Sequence, residues 1–176
     1  RRSSDLTSYY MRKFMGDFEE SETYGNNYHL WVMYRYAEIL LNYAEALNEY
    51  EEKPSDEVYK VLRALRKRAG IEAGKDNKYG LEDNMSRDEM RLVIQNERRI
   101  EMAFEEQRYW DIRRWRLAEK IFEKPLQGMS IVSGAGSLSF ERVDILSAKF
   151  DSRRYLYPIP YSEVIKNRNM VQNPKW

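Results

Sequence analysis

Cysteine is absent from this sequence, and histidine occurs once, at His29. Without cysteine the chain has no disulfide, no thiolate nucleophile and no cysteine ligand for a metal. A single histidine also excludes a metal site that is built on two histidines. No serine lies in a G-x-S-x-G setting, so a packing or capping role for His29 is favoured over a place in a catalytic triad.

The chain also lacks long apolar runs and a net charge of either sign. No apolar stretch approaches the length that spans a bilayer, and the first residues contain no apolar signal core. Lysine and arginine total 30 against 29 for aspartate and glutamate, a formal net charge of +1. Because a balanced chain has no basic field to attract phosphates, we expect no binding of nucleic acid. The length of 176 residues predicts one domain.

Residues 86–115 are the most informative part of the chain. Ser86 and Glu89 have the spacing of a capping box, in which each side chain satisfies a free backbone donor of the first helical turn. Apolar residues follow at helical spacing and predict that this helix lies on a core. These residues are Met90, Val93, Ile94, Ile100 and Phe104.

Carboxylates fall within or beside the same stripe, and arginines surround them. Because a buried carboxylate needs a partner, we interpret the group as a structural ionic network. Its members are Glu97, Arg98, Glu101, Arg108 and Asp111. The alternative is a glycoside hydrolase that uses Glu97 with Glu101 or Asp111 as its catalytic carboxylates. An arginine within a turn of each carboxylate argues against that alternative, because it disfavours the protonated acid that the reaction needs.

Two amphipathic helices precede this stretch within residues 30–70. The first is predicted over residues 31–50, where large apolar side chains form the buried face and alanines allow close approach of another helix. That face consists of Val32, Tyr36, Ile39, Leu40, Tyr43 and Leu47. The second helix follows Ser55, a suitable N-cap residue, and ends at Gly70. The short connection predicts an αα-hairpin about the size of one tetratricopeptide repeat.

The rest of the chain is predicted to contain helical, strand and extended segments. Helical character is predicted to continue to Pro125, and residues 126–146 are predicted to form a β-hairpin around a glycine-rich turn. Residues 155–160 should be extended because their prolines restrict the preceding residues, and Ser162 can cap a short last helix.

Tyrosine, tryptophan and arginine alternate around residues 109–116. In proteins that bind single-stranded nucleic acid, bases stack on such rings and arginines hold the phosphates. The balanced net charge argues against that function. We therefore expect Trp110 and Trp115 to anchor this element to the core.

The loop of residues 16–29 contains the side chains that best suit an oligosaccharide. Tyr24 and Tyr28 can stack on a sugar face, while Asn26 and Asn27 can hydrogen-bond its hydroxyl groups. A solvated connector is the alternative, since loops are polar for ordinary reasons. A second polar loop, residues 72–85, has Tyr79 as its single aromatic residue and is a weaker candidate.

Several sequence blocks form an ordered series. NERRIEMAFEEQRYWDIRRW occupies residues 96–115, and the other blocks are YYMRKF at 9–14, RYAEILLNYAEA at 35–46, LRKRAGI at 65–71, YLYPIP at 155–160 and QNPKW at 172–176. Together they resemble, in the same order, the motifs of SusD/RagB-like outer-membrane nutrient-binding lipoproteins. That family commonly has a glycine near Glu106, and its absence here predicts that the helix runs further before it bends.

The resemblance implies a mainly α fold, an irregular helical, tetratricopeptide-like SusD-type assembly with a small β-hairpin and long loops. It implies that residues 1–176 are a C-terminal domain, with signature helices at 86–122 and a C-terminal tail at 155–176. It also implies a longer protein, whose N-terminal portion, signal peptide and lipidated cysteine are not in this chain.

By the same resemblance, the protein would be a surface-exposed lipoprotein of the cell outer membrane, attached only through a lipid anchor. It would capture a glycan, or less often a peptide, and pass it to a SusC-like TonB-dependent transporter, without catalysis or cofactor. The ligand-contacting residues of the family lie largely in loops outside these motifs, so none is carried over, and the motif residues are assigned to structure. A peptide-binding tetratricopeptide-type adaptor, suggested by the hairpin of residues 30–70, is a further alternative.

Overall fold

The computed structural model describes residues 7, 9, 11, 13–14, 30–134 and 136–176. The chain divides into two compact units. The first, Gly16–Arg108, is called the helical unit here, and the second, Arg1–Met15 with Tyr109–Trp176, is called the mixed unit. The assignment of residues 1–176 to one C-terminal domain stays a prediction.

Over the described residues the fold is mainly α, with one small antiparallel sheet, as the sequence predicts. The helical unit contains α1 (Tyr36–Tyr50), α2 (Asp56–Arg68) and α3 (Arg87–Glu101). These are followed by α4 (Gln107–Arg114), α5 (Ala118–Phe122), β1 (Leu126–Gly134), β2 (Ser137–Leu146), a 3₁₀ helix (Ser152–Tyr155) and α6 (Tyr161–Lys166).

The core of the helical unit lies where α1 packs on α2 and α3. Its largest fully buried apolar side chains are Leu41, Val58, Leu62, Leu65, Met90 and Ile94. Burying a side chain of this size stabilises the fold by about 1.5–3 kcal/mol. The three helices therefore share one apolar core.

The face that α1 buries agrees with the prediction only in part, since Leu40 and Leu47 pack against the core while the predicted tyrosines do not. Ala37 and Ala44 are buried with Leu41, whereas Tyr36 and Tyr43 are exposed. Both sets of residues recur at helical spacing, so periodicity alone does not distinguish them. The small alanines let the neighbouring helices approach closely, and the bulky tyrosines are left on the other side.

Of the two predicted helix starts in this hairpin, that of α1 is wrong and that of α2 is confirmed. Helix α1 begins at Tyr36 instead of Trp31, because Arg35 has an extended backbone with φ −148°. Ser55 occupies the N-cap position of α2, but its side chain makes no capping hydrogen bond and its hydroxyl group is buried without a partner among the described residues. The predicted end is confirmed, since Gly70 adopts φ +80° immediately after the helix.

Helix α3 starts as predicted and stops earlier than predicted. The Ser86 hydroxyl accepts a hydrogen bond from the Glu89 backbone while the Glu89 carboxylate accepts one from the Ser86 backbone, which confirms the capping box. The helix ends at Glu101. Glu106 adopts φ +62° at the place where a glycine was expected from the resemblance. A non-glycine residue therefore makes the break, and the prediction of a longer helix is wrong.

The predicted apolar stripe of α3 is buried only in its first half. Met90 and Ile94 are in the core and Val93 packs against it. Ile100 and Phe104 are exposed. The stripe leaves the core because α3 ends at Glu101 and the chain turns away through Phe104, which has φ +62°.

The mixed unit is organised by the β-hairpin, which confirms the predicted strands. Strands β1 and β2 pair antiparallel from Leu126–Leu146 to Gly134–Ser137, and Gly136 in the turn has φ +85°. At Gly128 a Cβ atom would lie 2.9 Å from the Thr7 Cα atom, so only glycine allows this close approach. The adjacent Met129 backbone donates a hydrogen bond to the Thr7 carbonyl group (3.0 Å).

Two details of the C-terminal part differ from prediction. Tyr155 belongs to the 3₁₀ helix, and the extended backbone begins at Leu156. Helix α6 begins at Tyr161 after Pro160, so Ser162 lies inside the helix and does not cap it. Proline suits the N-terminal boundary of a helix because its fixed φ and missing N–H are tolerated there.

Candidate functional site

The predicted ligand residues Tyr24, Asn26, Asn27 and Tyr28 lie outside the described residues, as does His29. Their role in binding stays a prediction. Tyr79, from the weaker candidate loop, is half-buried, and its carbonyl group accepts a hydrogen bond from Arg66 (2.9 Å). Its backbone therefore has a structural contact within the helical unit.

Two carboxylates of the predicted ionic network contact arginines from other helices or loops. Glu97 accepts a hydrogen bond from the Nε atom of Arg66 in α2 (2.9 Å). Glu101 contacts the guanidinium groups of Arg35 and Arg68, each at 2.5 Å. These pairs join α3 to α2 and to the residue before α1. They hold the helical unit together across long sequence separations.

Arg35 has a central place in this arrangement. Its guanidinium group binds the Glu101 carbonyl oxygen (2.6 Å) and both carboxylate oxygens of Glu105 (2.6 and 2.8 Å). Burial alone would lower the pKa of Arg35, but the hydrogen bonds to Glu105 and Glu101 raise it above its ordinary value. The positively charged guanidinium group thus binds a carbonyl oxygen at the C-terminal end of α3, where the helix dipole is negative.

The remaining members of the predicted network are also placed by the structure. Arg98 is buried and donates to the side chains of Asn42 (2.6 Å) and Gln107 (2.9 Å). Asp111 is buried and accepts from Arg114 (2.9 Å). Arg108 is half-buried in the first turn of α4. Carboxylates that are bound to guanidinium groups in this way suit structural support.

An exposed surface in the mixed unit combines aromatic rings with arginines. It surrounds an open depression of about 490 Å³. We call it the aromatic–arginine surface, and its residues are Trp110, Arg113, Arg114, Arg116, Tyr155, Leu156 and Tyr157.

Helix α4 and the turn after it supply one side of this surface. Trp110, Arg113 and Arg114 lie on α4, and Arg116 follows in a left-handed turn with φ +56°. The Arg113 guanidinium carbon lies 3.4 Å from the centre of the Tyr109 ring, a cation–π contact. Arg113 also donates to the Tyr109 carbonyl group (2.8 Å), so two contacts with the same tyrosine hold its guanidinium group.

The other side consists of the segment after the 3₁₀ helix, which the C-terminal tail holds in place. The Gln172 side chain makes two hydrogen bonds to the Ile159 backbone, each 2.8 Å. Asn173 donates to the Tyr157 carbonyl group (2.6 Å), and the Trp176 indole donates to that of Leu156 (2.9 Å). These hydrogen bonds link the QNPKW block to the YLYPIP block.

The aromatic rings make contacts with one another and remain open to solvent. Trp110 lies 5.1 Å from Tyr109 in an edge-on arrangement and 6.3 Å from Tyr157. The hydroxyl groups of Tyr109 and Tyr157 are hydrogen-bonded, which raises the pKa of Tyr157. Trp110 is 56 % exposed and Tyr157 57 % exposed. The prediction that Trp110 is anchored in the core is therefore wrong for this chain, while Trp115 is half-buried.

A smaller depression of about 210 Å³ adjoins the first and shares Arg116, Tyr155 and Leu156 with it. Arg153 and Lys175 add positive charge there. The Arg153 guanidinium group lies 4.9 Å from the Trp176 ring centre, and Lys175 is hydrogen-bonded to the Ser152 hydroxyl group. The sequence signal for this surface was the alternation of aromatic residues and arginine, which sequence reasoning assigned to packing.

Two further findings limit the chemistry of the described part of the chain. Within it, no group of three or more histidine, cysteine, aspartate or glutamate residues is arranged to hold a metal ion. Across the same residues, no helix combines the length and the apolar character that crossing a membrane requires.

Comparison with known proteins identifies the family. A model of the SusD family (SusD_RagB) matches residues 2–176. SusD-like protein P2 of Formosa agariphila is 35 % identical over 144 residues, which are 81 % of this chain and 25 % of that protein. The chain thus spans about a quarter of the length of this curated relative.

Solved structures give the same result. A SusD-like protein from Bacteroides fragilis superposes with a TM-score of 0.67 at 31 % identity, covering 83 % of this chain and 26 % of that one. A SusD homolog from Bacteroides thetaiotaomicron superposes with a TM-score of 0.61 at 26 % identity, covering 88 % and 30 %. The family match extends over nearly the whole chain, and the fold agrees with it. This chain therefore belongs to the SusD family.

Proposed function

We propose that this chain is part of a non-catalytic glycan-binding protein of the cell surface. The protein captures oligosaccharide and passes it to a SusC-like TonB-dependent transporter in the outer membrane. A lipid anchor outside this chain attaches it to the membrane. Membership of the SusD family supports the proposal, and the exposure of the Trp110 and Tyr157 rings is the structural observation that carries it.

Exposed aromatic rings suit a sugar because one face of a pyranose ring is lined with C–H groups. Such a face packs on an aromatic ring, while the hydroxyl groups at its rim need hydrogen-bond partners. Trp110 and Tyr157 offer exposed rings around the larger depression, and arginines also line it. This mixture provides apolar contact for a ligand together with hydrogen-bond donors that fix its orientation.

The contacts of the carboxylates favour binding over hydrolysis. A glycoside hydrolase needs one protonated and one ionised carboxyl group beside the scissile bond. Glu97 and Glu101 instead form ion pairs with Arg66, Arg35 and Arg68, and Asp111 pairs with Arg114. Each of these carboxylates is therefore bound to a guanidinium group of the protein itself. We therefore propose a capture step without bond cleavage.

A glycan array with affinity gels tests the proposal on the protein in its longest native form, with product analysis of every bound glycan. We expect retention by at least one oligosaccharide and no release of reducing ends. Tyr157→Ala and Trp110→Ala should each weaken that binding about tenfold, by analogy with the about 1–3 kcal/mol that stacking of one nucleic-acid base on an aromatic side chain contributes.

Tyr50→Ala is the matched control, because Tyr50 is an exposed tyrosine at the end of α1, in the helical unit. It should leave glycan binding unchanged. Tyr24→Ala and Tyr28→Ala, made together, test the predicted loop site separately. Release of sugar products, or absence of binding to every glycan, would overturn the proposal.

A further inference from the structure

We infer that the aromatic–arginine surface selects an anionic oligosaccharide, one whose sugar units have carboxylate or sulfate groups. The inference rests on the proposed function and adds the chemical class of the ligand. It is supported by the basic residues that line two neighbouring depressions in the mixed unit and by the residues that both depressions share.

The charged residues that line the two depressions are all basic, and two of them, Arg114 and Arg153, are paired with the neighbouring carboxylates of Asp111 and Asp151. The lining contains five basic side chains, and none of the residues that line either depression is acidic. The whole chain, by contrast, has a net charge of only +1. A cleft lined by charge of one sign concentrates ligands of the opposite sign. The basic residues are Arg113, Arg114, Arg116, Arg153 and Lys175.

Arg116 is the residue best placed to bind an anion. It lines both depressions, and its guanidinium carbon lies 4.7 Å from the centre of the Tyr155 ring. In the part of the chain that the structure describes, neither a carboxylate nor any other acceptor is hydrogen-bonded to this guanidinium group. Arg114, in comparison, is bound to Asp111. Arg116 therefore keeps its donors for a ligand.

The backbone around Arg116 holds it in this position. Arg116 adopts φ +56°, and its backbone donates to the Arg113 carbonyl group (3.0 Å) in the turn that ends α4. The left-handed conformation is costly for an arginine, and the turn places its side chain over Tyr155. A planar guanidinium group held on a ring presents its free edge to a carboxylate or sulfate with two parallel hydrogen bonds.

The two depressions are neighbours, because they share the lining residues Arg116, Tyr155 and Leu156. A ligand that occupies both must be longer than one sugar unit. Its rings pack on the Trp110 and Tyr157 side, and a charged group lies at Arg116 between the depressions. Lys175 lines the smaller depression and provides a second cation there. The arrangement therefore fits an acidic oligosaccharide better than a neutral one.

The test uses the protein in its longest native form and a panel of defined polysaccharides. Polygalacturonate, alginate and chondroitin sulfate are compared with neutral starch, xylan and galactan by affinity gel and calorimetry. Every acidic polysaccharide that binds is then tested again after its carboxylates are reduced to alcohols or its sulfates are removed. These two treatments distinguish a carboxylate from a sulfate as the recognised group.

We expect binding to an acidic polysaccharide that falls about tenfold or more when its charge is removed, as the loss of a charge-assisted hydrogen bond predicts. Arg116→Gln should cause a similar loss for the acidic ligand. Arg99→Gln is the matched control, because Arg99 is an exposed arginine of α3 that is hydrogen-bonded only to Asn96 among the described residues. Arg99→Gln removes the same charge from another surface and should leave binding of the acidic polysaccharide unchanged.

Lys175→Gln is a second variant in the exposed C-terminal tail, and it should weaken the same binding by a smaller factor. Preference for a neutral glycan would overturn the inference and leave the proposed function intact. Loss of affinity that is equal in Arg116→Gln and Arg99→Gln would also overturn it, since the effect would then be one of overall charge. Absence of binding to any glycan would overturn both proposals.

Discussion

The ion pair between Arg66 and Glu97 gives the sharpest prediction about stability. It joins α2 to α3, and its two side chains are only 15 % and 11 % exposed. Among the described residues, Arg66 is the cationic partner of Glu97, at 2.9 Å. Arg66→Ala therefore leaves a carboxylate in a largely buried site without its cation. It also removes the hydrogen bond from Arg66 to the Tyr79 carbonyl group.

The expected cost follows from these contacts. Breaking a buried pair from one side destabilises by about 3–5 kcal/mol. The remaining solvent exposure favours the lower end of that range, so we expect the free energy of unfolding to fall by about 3 kcal/mol. For a chain of this size such a loss lowers Tm by about 6–12 °C.

The double variant Arg66→Met with Glu97→Leu should restore much of the loss, because it leaves no buried charge. Its remaining cost should be about 1 kcal/mol, the net value of the hydrogen bond to Tyr79. Urea denaturation followed by circular dichroism measures all the variants. The single variants Arg66→Met and Glu97→Leu are measured as well. If the double variant loses as much free energy of unfolding as these two together, the reasoning is refuted, because the two side chains are then uncoupled.

Glu57→Ala is the matched control for this series. Glu57 pairs with Lys60 at 3.0 Å on α2, but the two side chains are 48 % and 64 % exposed. Water and salt screen such a pair, so its removal should cost no more than about 0.5 kcal/mol. A loss of stability similar to that of Arg66→Ala would show that burial does not determine the cost of breaking an ion pair.

Two further predictions concern the break after α3 and the acid stability of the fold. Glu106→Gly should stabilise the chain by up to about 1 kcal/mol, because glycine adopts the observed φ of +62° without the steric cost of a side chain; a lower Tm would contradict this account. Hydrogen bonding to Arg91 lowers the pKa of Glu49 below its ordinary value of 4.5. The stabilisation from this pair is therefore complete above about pH 4.5 and is lost as the pH falls through the lowered pKa. Glu49→Gln should remove that part of the acid transition in urea denaturation at a series of pH values, and an unchanged pH profile would argue against the pair.

Features set by a few neighbouring residues could be predicted from the sequence. Ser86 and Glu89 complete the capping box of α3 within a single turn. Gly70 ends α2 and Gly136 forms the hairpin turn through φ values that suit glycine. The ordered motifs alone indicate the family, and the family match confirms it.

Features that depend on distant partners could not be predicted in this way. The choice between the alanine and tyrosine faces of α1 was decided by the close approach of α2 and α3, since both faces have the same period. The cation that binds the end of α3 is Arg35, a residue 66 positions away from Glu101 in the sequence. The sequence predicts partners for Glu97 and Glu101 within a turn, whereas the fold brings Arg66, Arg35 and Arg68 to them from distant positions.

The candidate surface shows the same division. By itself the sequence determined the alternation of aromatic residues and arginine along α4, because that pattern is local. Only the tertiary structure decided that the Trp110 ring is exposed and that Tyr155 and Tyr157 lie around the same depression. The physical reason is that a ligand surface needs side chains from segments far apart in the chain, and folding alone brings those segments together.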